Sequence, residues 1–299
     1  MLQTITVYHY DAFSTHPGKG NPGGVVLEAD GLSENQMLAA AAAVGFNETS
    51  FVLPSQQADF RIRYFTPGHE MNLCGHGTMA CLSALAEQGQ LDGLVRFTIE
   101  TLAGILPIRQ SVSEDGLSSF TMQQTAPEFR PFGGSREELA RSIGLSSEDL
   151  HPELPIVYGS TGIWTLIVPV CGLDACSRMK PDNSRFPEIL AEMPRASLHP
   201  FCLETIHPDS LLHARHFSSP YSGTIEDPVT GTASGVLGAY YGRFIRDGRC
   251  ADELELTVEQ GQELGRDGKV HVRVTPDGAE RRVEITGVAV YVKEWSLEV

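Results

Sequence analysis

The sequence contains no apolar run long enough to cross a membrane, a span that takes about 20 consecutive apolar residues. No basic segment followed by an apolar stretch stands behind Met1-Leu2-Gln3-Thr4, so no secretory signal is read there. Its six cysteines (Cys74, Cys81, Cys171, Cys176, Cys202 and Cys250) form no Cys-x-x-Cys pair and lack the histidine spacing of a zinc finger. A structural metal is therefore not expected, and neither is a disulfide framework; reduced thiols and a cytoplasmic location are. Positive charge is scarce: 22 Lys and Arg stand against 38 Asp and Glu, a net charge of −16. Such a chain repels nucleic acid and anionic lipid, so neither is an expected partner. A small anion held by a local field is not excluded. Cofactor signatures are missing as well. Gly20-Asn21-Pro22-Gly23-Gly24 lacks the Lys-Ser/Thr ending of a phosphate loop, and Gly75-His76-Gly77 lacks the third glycine of a dinucleotide fingerprint. No Gly-x-Ser-x-Gly elbow occurs. No cofactor is expected.

Two stretches of one kind stand out instead. Leu73-Cys74-Gly75-His76-Gly77 reads as a Gly-rich turn opening an apolar helix over 78–88, with charge only at Glu87. Such a helix is buried, and its first N–H groups need partners. Glycines there permit close approach to the backbone, and the helix start carries roughly half a positive charge. The second stretch, Glu226-Asp227-Pro228-Val229-Thr230-Gly231-Thr232-Ala233, opens another apolar helix with Gly248 as its expected stop. Cys74 and His76 sit at the first helix mouth and Asp227 just before the second. We read the two mouths as facing each other across one small substrate.

The remaining pattern places these stretches. Strands are expected at 4–10, 25–27, 49–53, 58–65, 95–100, 105–112 and 117–123, and a capped helix at 33–44, with Ser33 and Gln36 as capping box and Gly45 as stop. The Pro- and Gly-bearing segment 125–134 is the expected domain boundary, giving an N-terminal half, 1–124, joined by a last strand at about 282–299, and a C-terminal half, 125–281. Within the second half a surface helix is expected at 135–143 and a further one inside 183–193. Strands are expected at 156–160, 163–170 (a central one), 201–206, 212–217, 254–259, 270–275 and 282–293. Arg63-Tyr64-Phe65-Thr66 and Arg215-His216-Phe217-Ser218 share one pattern, about half the chain apart, and each leads through a loop into a Gly-rich helix start. The expected fold is α+β: two similar halves, each a curved mixed sheet around one apolar helix, with the active cleft between them.

Glu48 lies between a helix end and a strand, beside Phe46, Phe51 and Val52. As a solvated carboxylate it would do nothing; buried in that apolar company its pKa would rise and make it an acid or base near neutrality. Asp227 before Pro228 is either a turn residue or a proton carrier. His76 is either structural or a donor at the helix mouth. Cys74 is either a small buried hydrophobe or a thiolate. The other histidines are read as ordinary.

At these residues the sequence resembles the phenazine-biosynthesis PhzF-like isomerases, of the diaminopimelate-epimerase and proline-racemase fold group. The resemblance rests on Phe13 with Asn21-Pro22, Glu48-Thr49-Ser50-Phe51-Val52, Arg63-Tyr64-Phe65-Thr66-Pro67, Leu73-Cys74-Gly75-His76-Gly77-Thr78 and Asp227-Pro228-Val229-Thr230-Gly231-Thr232-Ala233, in order over most of the chain. It implies two hot-dog-like domains, cofactor-free proton transfer at carbon on a small carboxylate, and a homodimer. It implies Glu48 as the main acid/base, assisted by His76 and Asp227, with Gly75, Gly77, Gly231, Thr232, Asn21 and Cys74 binding substrate. The epimerases carry cysteine at both mouths. This chain has Cys74 at one and Asp227 at the other, which disfavours a two-thiol racemase. Two other readings stay open: a racemase or epimerase pairing Cys74 with a carboxylate, and a non-catalytic binder of small carboxylates.

Overall fold

The computed structural model describes residues 3–114, 116–246, 253–278 and 280–299. The helix stop expected at Gly248, and Cys250, lie outside them. The chain divides into two compact units, Met1–Gln123 with Thr286–Val299, and Gln124–Ile285.

The first unit is built on strands β1 (Thr4–Ala12), β2 (Asn21–Val26), β3 (Thr49–Leu53), β4 (Phe60–Phe65), β5 (Glu70–Met71), β6 (Arg96–Thr101), β7 (Gly104–Val112) and β8 (Ser118–Gln123). β1 pairs antiparallel with β2, β2 parallel with β3, β3 antiparallel with β4, β4 parallel with β6, and β6 antiparallel with β7. Each parallel step needs a crossover, and each crossover carries a helix. Helix α1 (Glu34–Val44) joins β2 to β3, and α2 (Gly75–Glu87) lies between β4 and β6. α1 starts and stops as its sequence dictates. Ser33 and Gln36 close a reciprocal capping box, and Gly45 ends the helix in the left-handed conformation. Its Met37, Ala40 and Ala41 pack with Ile5, Val7, Val26, Phe51 and Phe65 in one apolar cluster.

α2 is buried at every residue from His76 to Leu85 and packs on β1, β2, β3 and β8. It begins three residues before the expected start, because Cys74 itself is the N-cap. The thiol accepts the Gly77 N–H at 3.3 Å, and the Thr78 hydroxyl donates to the Cys74 carbonyl at 2.7 Å. The two glycines of the first turn differ in purpose. A Cβ on Gly77 would lie 2.6 Å from Ser50 Oγ, whereas one on Gly75 would meet open space.

The second unit repeats the order. Its strands are β9 (Glu128–Pro131), β10 (Val157–Ser160), β11 (Trp164–Pro169), β12 (Ser197–Cys202), β13 (Leu212–Ala214), β14 (Leu254–Gln260) and β15 (Gly268–Asp277). From β10 to β15 the pairings run antiparallel, parallel, antiparallel, parallel, antiparallel, the succession found from β1 to β7. Helices α3 (Arg136–Ser142), α4 (Leu173–Arg178) and α5 (Phe186–Ile189) accompany β10, β11 and β12, and α6 (Gly231–Tyr240) joins β13 to β14. α6 passes directly into a π-helical turn, Tyr241–Ile245, and packs on β10 and β15. A Cβ on Gly238 would lie 2.5 Å from Val272 Cγ1, so the helix backbone sits directly on its sheet.

Several local expectations shift. The segment expected as the domain boundary, 125–134, holds β9, which pairs with β10 and thus opens the second unit. α3 is not a surface helix on both sides: Leu139 and Ala140 are fully buried with Tyr158, Leu166 and Phe217. The strand expected over 201–206 is β12, four residues earlier. The single strand expected over 282–293 is two, β16 (Glu280–Gly287) and β17 (Ala289–Glu298), broken at Val288. The Val288 carbonyl there accepts the N–H of Phe13, a buried residue in left-handed backbone, φ 63°. β17 returns to the first unit and pairs antiparallel with β1.

The short sequence repeat has a structural counterpart in each unit. Arg63 Nε and a terminal nitrogen hold both oxygens of Glu70 at 2.6 Å, and the Arg63 guanidinium lies 5.0 Å from the Phe65 ring centre. Arg215 holds both oxygens of Glu226 at 2.8 and 2.6 Å and lies 4.9 Å from the Phe217 ring centre. Each pair clamps the loop that delivers a buried helix start.

Candidate active site

In the first unit, Glu48 follows α1 at the edge of β3, Asn21 opens β2, and Cys74 and His76 stand at the start of α2. Parallel pairing of β2 with β3 brings the first two together: the Gly24 N–H donates to the Glu48 carbonyl. The side chains then converge on one imidazole. His76 Nε2 is 3.1 Å from Glu48 Oε2, His76 Nδ1 is 3.2 Å from Asn21 Nδ2, and Cys74 Sγ is 3.5 Å from Nδ1 and 3.7 Å from Nε2. Glu48 is therefore not the carboxylate in apolar surroundings that its neighbours Phe46, Phe51 and Val52 suggest. Its partner is a histidine, and its side chain keeps 16% exposure.

Burial works against the charged form of His76, but the acidic groups of Cys74 and Glu48 beside it prevail and hold its pKa well above the ordinary value. Burial also pushes the Cys74 thiol up, against the pull of the neighbouring His76. Asn21 suits either state of the ring. Its amide nitrogen donates to a bare Nδ1, and the same amide turned over offers its oxygen to a protonated one. A thiolate at the helix mouth, one of the two sequence readings of Cys74, is opposed by burial: desolvation of this 6% exposed residue outweighs the pull of His76 and of the Gly77 N–H. The Gly77 N–H, counted among the donors open to a substrate, is engaged by that sulfur. The first-turn opening lies at Gly75.

The second unit arranges Asp227 at the start of α6. Asp227 Oδ2 accepts the Thr230 hydroxyl at 2.6 Å, and Gln260 fixes the turn by donating to the Asp227 carbonyl at 2.7 Å and accepting the Thr230 N–H at 3.1 Å. With its hydroxyl turned to Asp227, Thr230 does not cap α6. Gly231 is buried and Thr232 half-buried at that mouth, and the Thr232 carbonyl accepts the Thr161 hydroxyl at 3.2 Å.

Sequence reasoning passed over three histidines of this unit. His216 Nδ1 is 3.2 Å from His199 Nδ1, both rings buried, and the His216 carbonyl accepts the Asp227 N–H. Burial pushes His216 down to about 4 against the pull of Asp227. His213 is fully buried between Glu259 and Glu263, at 2.9 Å from each. The one available signal was His216 itself, which fills in the second Arg-x-Phe the place Tyr64 fills in the first.

Known proteins resemble this chain along nearly its whole length. The family model described as "Phenazine biosynthesis-like protein" matches residues 10–295. The chain belongs to the PhzC-PhzF family. It is 53% identical over 290 residues to an uncharacterized isomerase of Bacillus subtilis (strain 168), covering 97% of each chain. A crystal structure of a PhzF-family phenazine biosynthesis protein from Bacillus anthracis superposes with a TM-score of 0.96 at 57% identity, covering 99% of this chain and 100% of that one. A trans-2,3-dihydro-3-hydroxyanthranilate isomerase from Pseudomonas aeruginosa is 30% identical over 280 residues, 93% of each chain. This PhzC-PhzF member is accordingly an isomerase with an α+β fold. No helix among its described residues is long and apolar enough to cross a membrane.

Proposed function

We propose that this PhzC-PhzF protein moves a proton between carbons of a small unsaturated carboxylate, with Glu48 as the acid/base. The observation that carries the reading is the 3.1 Å contact of Glu48 with His76 at the start of a buried helix. In the forward step a C–H bond of the substrate breaks and its proton goes to a Glu48 oxygen. The electron pair delocalises towards the substrate carboxylate, where the helix start near Gly75 and the His76 imidazolium stabilise it. Glu48 then returns the proton to a second carbon, a new C–H bond forms, and the double bond has migrated. Nothing enters or leaves, so atoms and electrons balance. Asp227, with Gly231 and Thr232, is proposed to orient the substrate and assist reprotonation.

The substrate class is drawn from the Pseudomonas relative, whose named substrate, a dihydro-hydroxyanthranilate, is a carboxylate. Racemisation through Cys74 is the weaker reading, because burial keeps its thiol protonated and its sulfur caps α2. The test is incubation with a panel of small unsaturated carboxylates including that acid, followed by NMR. Migration of a double bond is expected, with turnover kept in Cys74→Ser. Inversion at one carbon without migration, lost in Cys74→Ser, would replace this reading with the racemase.

A further inference from the structure

Two thiols of the second unit meet away from the acid/base groups. Cys176 lies on α4 and Cys202 ends β12, elements that pack against each other, and both side chains are buried in one apolar cluster. Their sulfurs are 3.8 Å apart, with the Cys176 thiol donating to Cys202 Sγ, and Cys202 Sγ is in turn 3.3 Å from the Glu204 carbonyl. A disulfide holds its sulfurs at about 2.05 Å, so about 1.8 Å of closure separates this contact from a bond.

The two sulfurs are unequal. The S–H that Cys176 donates holds the Cys202 thiol below its ordinary range; burial opposes this and the charge of His213 supports it. Burial also opposes charge on His213, but its hydrogen bonds to Glu259 and Glu263 raise its pKa to about 9, so it is charged at neutrality. Cys176 moves the other way, raised by giving its hydrogen bond to Cys202 and by burial. A thiolate beside a protonated thiol is the arrangement in which one cysteine attacks and the other resolves. The cover over the pair is short. α4 has six residues, and Gly172 before it offers no side-chain cap. Its Leu173 N–H is held by the Glu204 carboxylate, two residues past Cys202, where Leu203 and Glu204 are exposed. So short a helix opens locally, which admits a molecule the size of hydrogen peroxide.

We infer that Cys176 and Cys202 form a dithiol that hydrogen peroxide converts to a disulfide, with Cys202 attacking and Cys176 resolving. The Cys202 thiolate attacks one peroxide oxygen. The S–O bond forms, the O–O bond breaks, and the departing hydroxide leaves as water with the proton that Cys202 had released. The Cys176 sulfur then attacks the Cys202 sulfur. The S–S bond forms as the S–O bond breaks, and the second hydroxide takes the Cys176 proton. The two thiols lose two electrons, which reduce peroxide to two waters. The new bond ties α4 to β12. Arg215 Nη1 donates to the Cys176 and Met179 carbonyls while its other nitrogens hold Glu226, so the tie borders the clamp of the loop that delivers Asp227. The inference stands apart from the proposed isomerisation.

The parent for the test is full-length Cys171→Ser, because the exposed Cys171 lies on the same tryptic peptide as Cys176. Reduced and freed of reductant, it receives one equivalent of hydrogen peroxide, is unfolded in N-ethylmaleimide and is mapped by mass spectrometry without reduction. The expected result is a cross-link between the Cys176 and Cys202 peptides, with two thiols lost per chain. Cys176→Ser in that parent should stop at a Cys202 sulfenic acid that dimedone captures, and Cys202→Ser should leave Cys176 reduced. Both thiols still alkylated after peroxide, or a cross-link joining either of them to a different cysteine, would overturn the inference. The parent alone decides it, so a serine variant that fails to fold leaves the test intact.

Discussion

Glu48 and His76 share one proton-rich contact, and each makes the other useful. Burial opposes the charged form of the imidazole, but the acidic groups of Cys74 and Glu48 hold its pKa well above the ordinary value, and in the proposed reaction it supplies a positive end beside the developing substrate charge. His76→Gln removes that charge but keeps a donor; we expect kcat to fall more than KM rises, read from steady-state kinetics on any acid that turns over. A second histidine gives a prediction about stability. His213, locked between Glu259 and Glu263, has its pKa raised to about 9 despite burial, by the hydrogen bonds it donates to both carboxylates. A raised histidine pKa stabilises the fold fully below the unfolded value near 6.5 and loses that contribution as pH climbs through about 9. The term is on the order of 3 kcal/mol. Urea melts from pH 6 to pH 10 should therefore show stability falling across that window, and a slope unchanged in His213→Gln would disprove it. Neither His213 nor its partners could be grouped from sequence, because they lie on β13, β14 and the turn after it, and only strand pairing unites them.

The start of α2 shows how a helix end is shared between folding and chemistry. Gly77 is glycine because Ser50, Cys74 and Tyr64 occupy the space of a side chain, whereas Gly75 faces an opening. Gly77→Ala should cost about 1–3 kcal/mol, the range for overpacking, seen as a lower Tm. Gly75→Ala should change stability by less than about 0.5 kcal/mol and instead weaken substrate binding. Equal losses of Tm in the two variants would show that the mouth is packed shut. In the second unit the buried Arg215–Glu226 pair should cost about 3–5 kcal/mol when Arg215→Met strips one partner, measured by urea denaturation. Elements of this kind were legible where the signal is local: the capping box at Ser33, the stop at Gly45, and the Arg-x-Phe pattern. Helix α2 began earlier than read because a cysteine, an unusual cap, took the place of Ser or Asp. α4 is a six-residue helix, too short to show a period, and β9 hides among prolines and glycines.

On the scale of the whole molecule, one order of strands and helices occurs twice, and the chain's end completes the unit in which it began. β17 pairs with β1 along nearly its full length. Deleting residues 289–299 should therefore unfold the first unit, detected as loss of amide protection on β1 and β2; retained protection there would contradict the division. The α+β class, the repeat and the family were open to sequence reading because their motifs run in order through both halves. That Glu48 and His76 belong to one site was read from the resemblance alone, since the neighbours of Glu48 in sequence are apolar and His76 stands at the start of α2. Proton traffic through Glu48 is what the account most depends on. The direct measurement is deuterium wash-in from heavy water into a carboxylate that turns over, followed by NMR in the wild type and in Glu48→Gln. The wild type should incorporate deuterium at the carbon that gains the proton, and the variant should be slower by about 10²–10⁴-fold, the usual worth of general acid–base catalysis. Equal incorporation in the two proteins would take Glu48 out of the reaction.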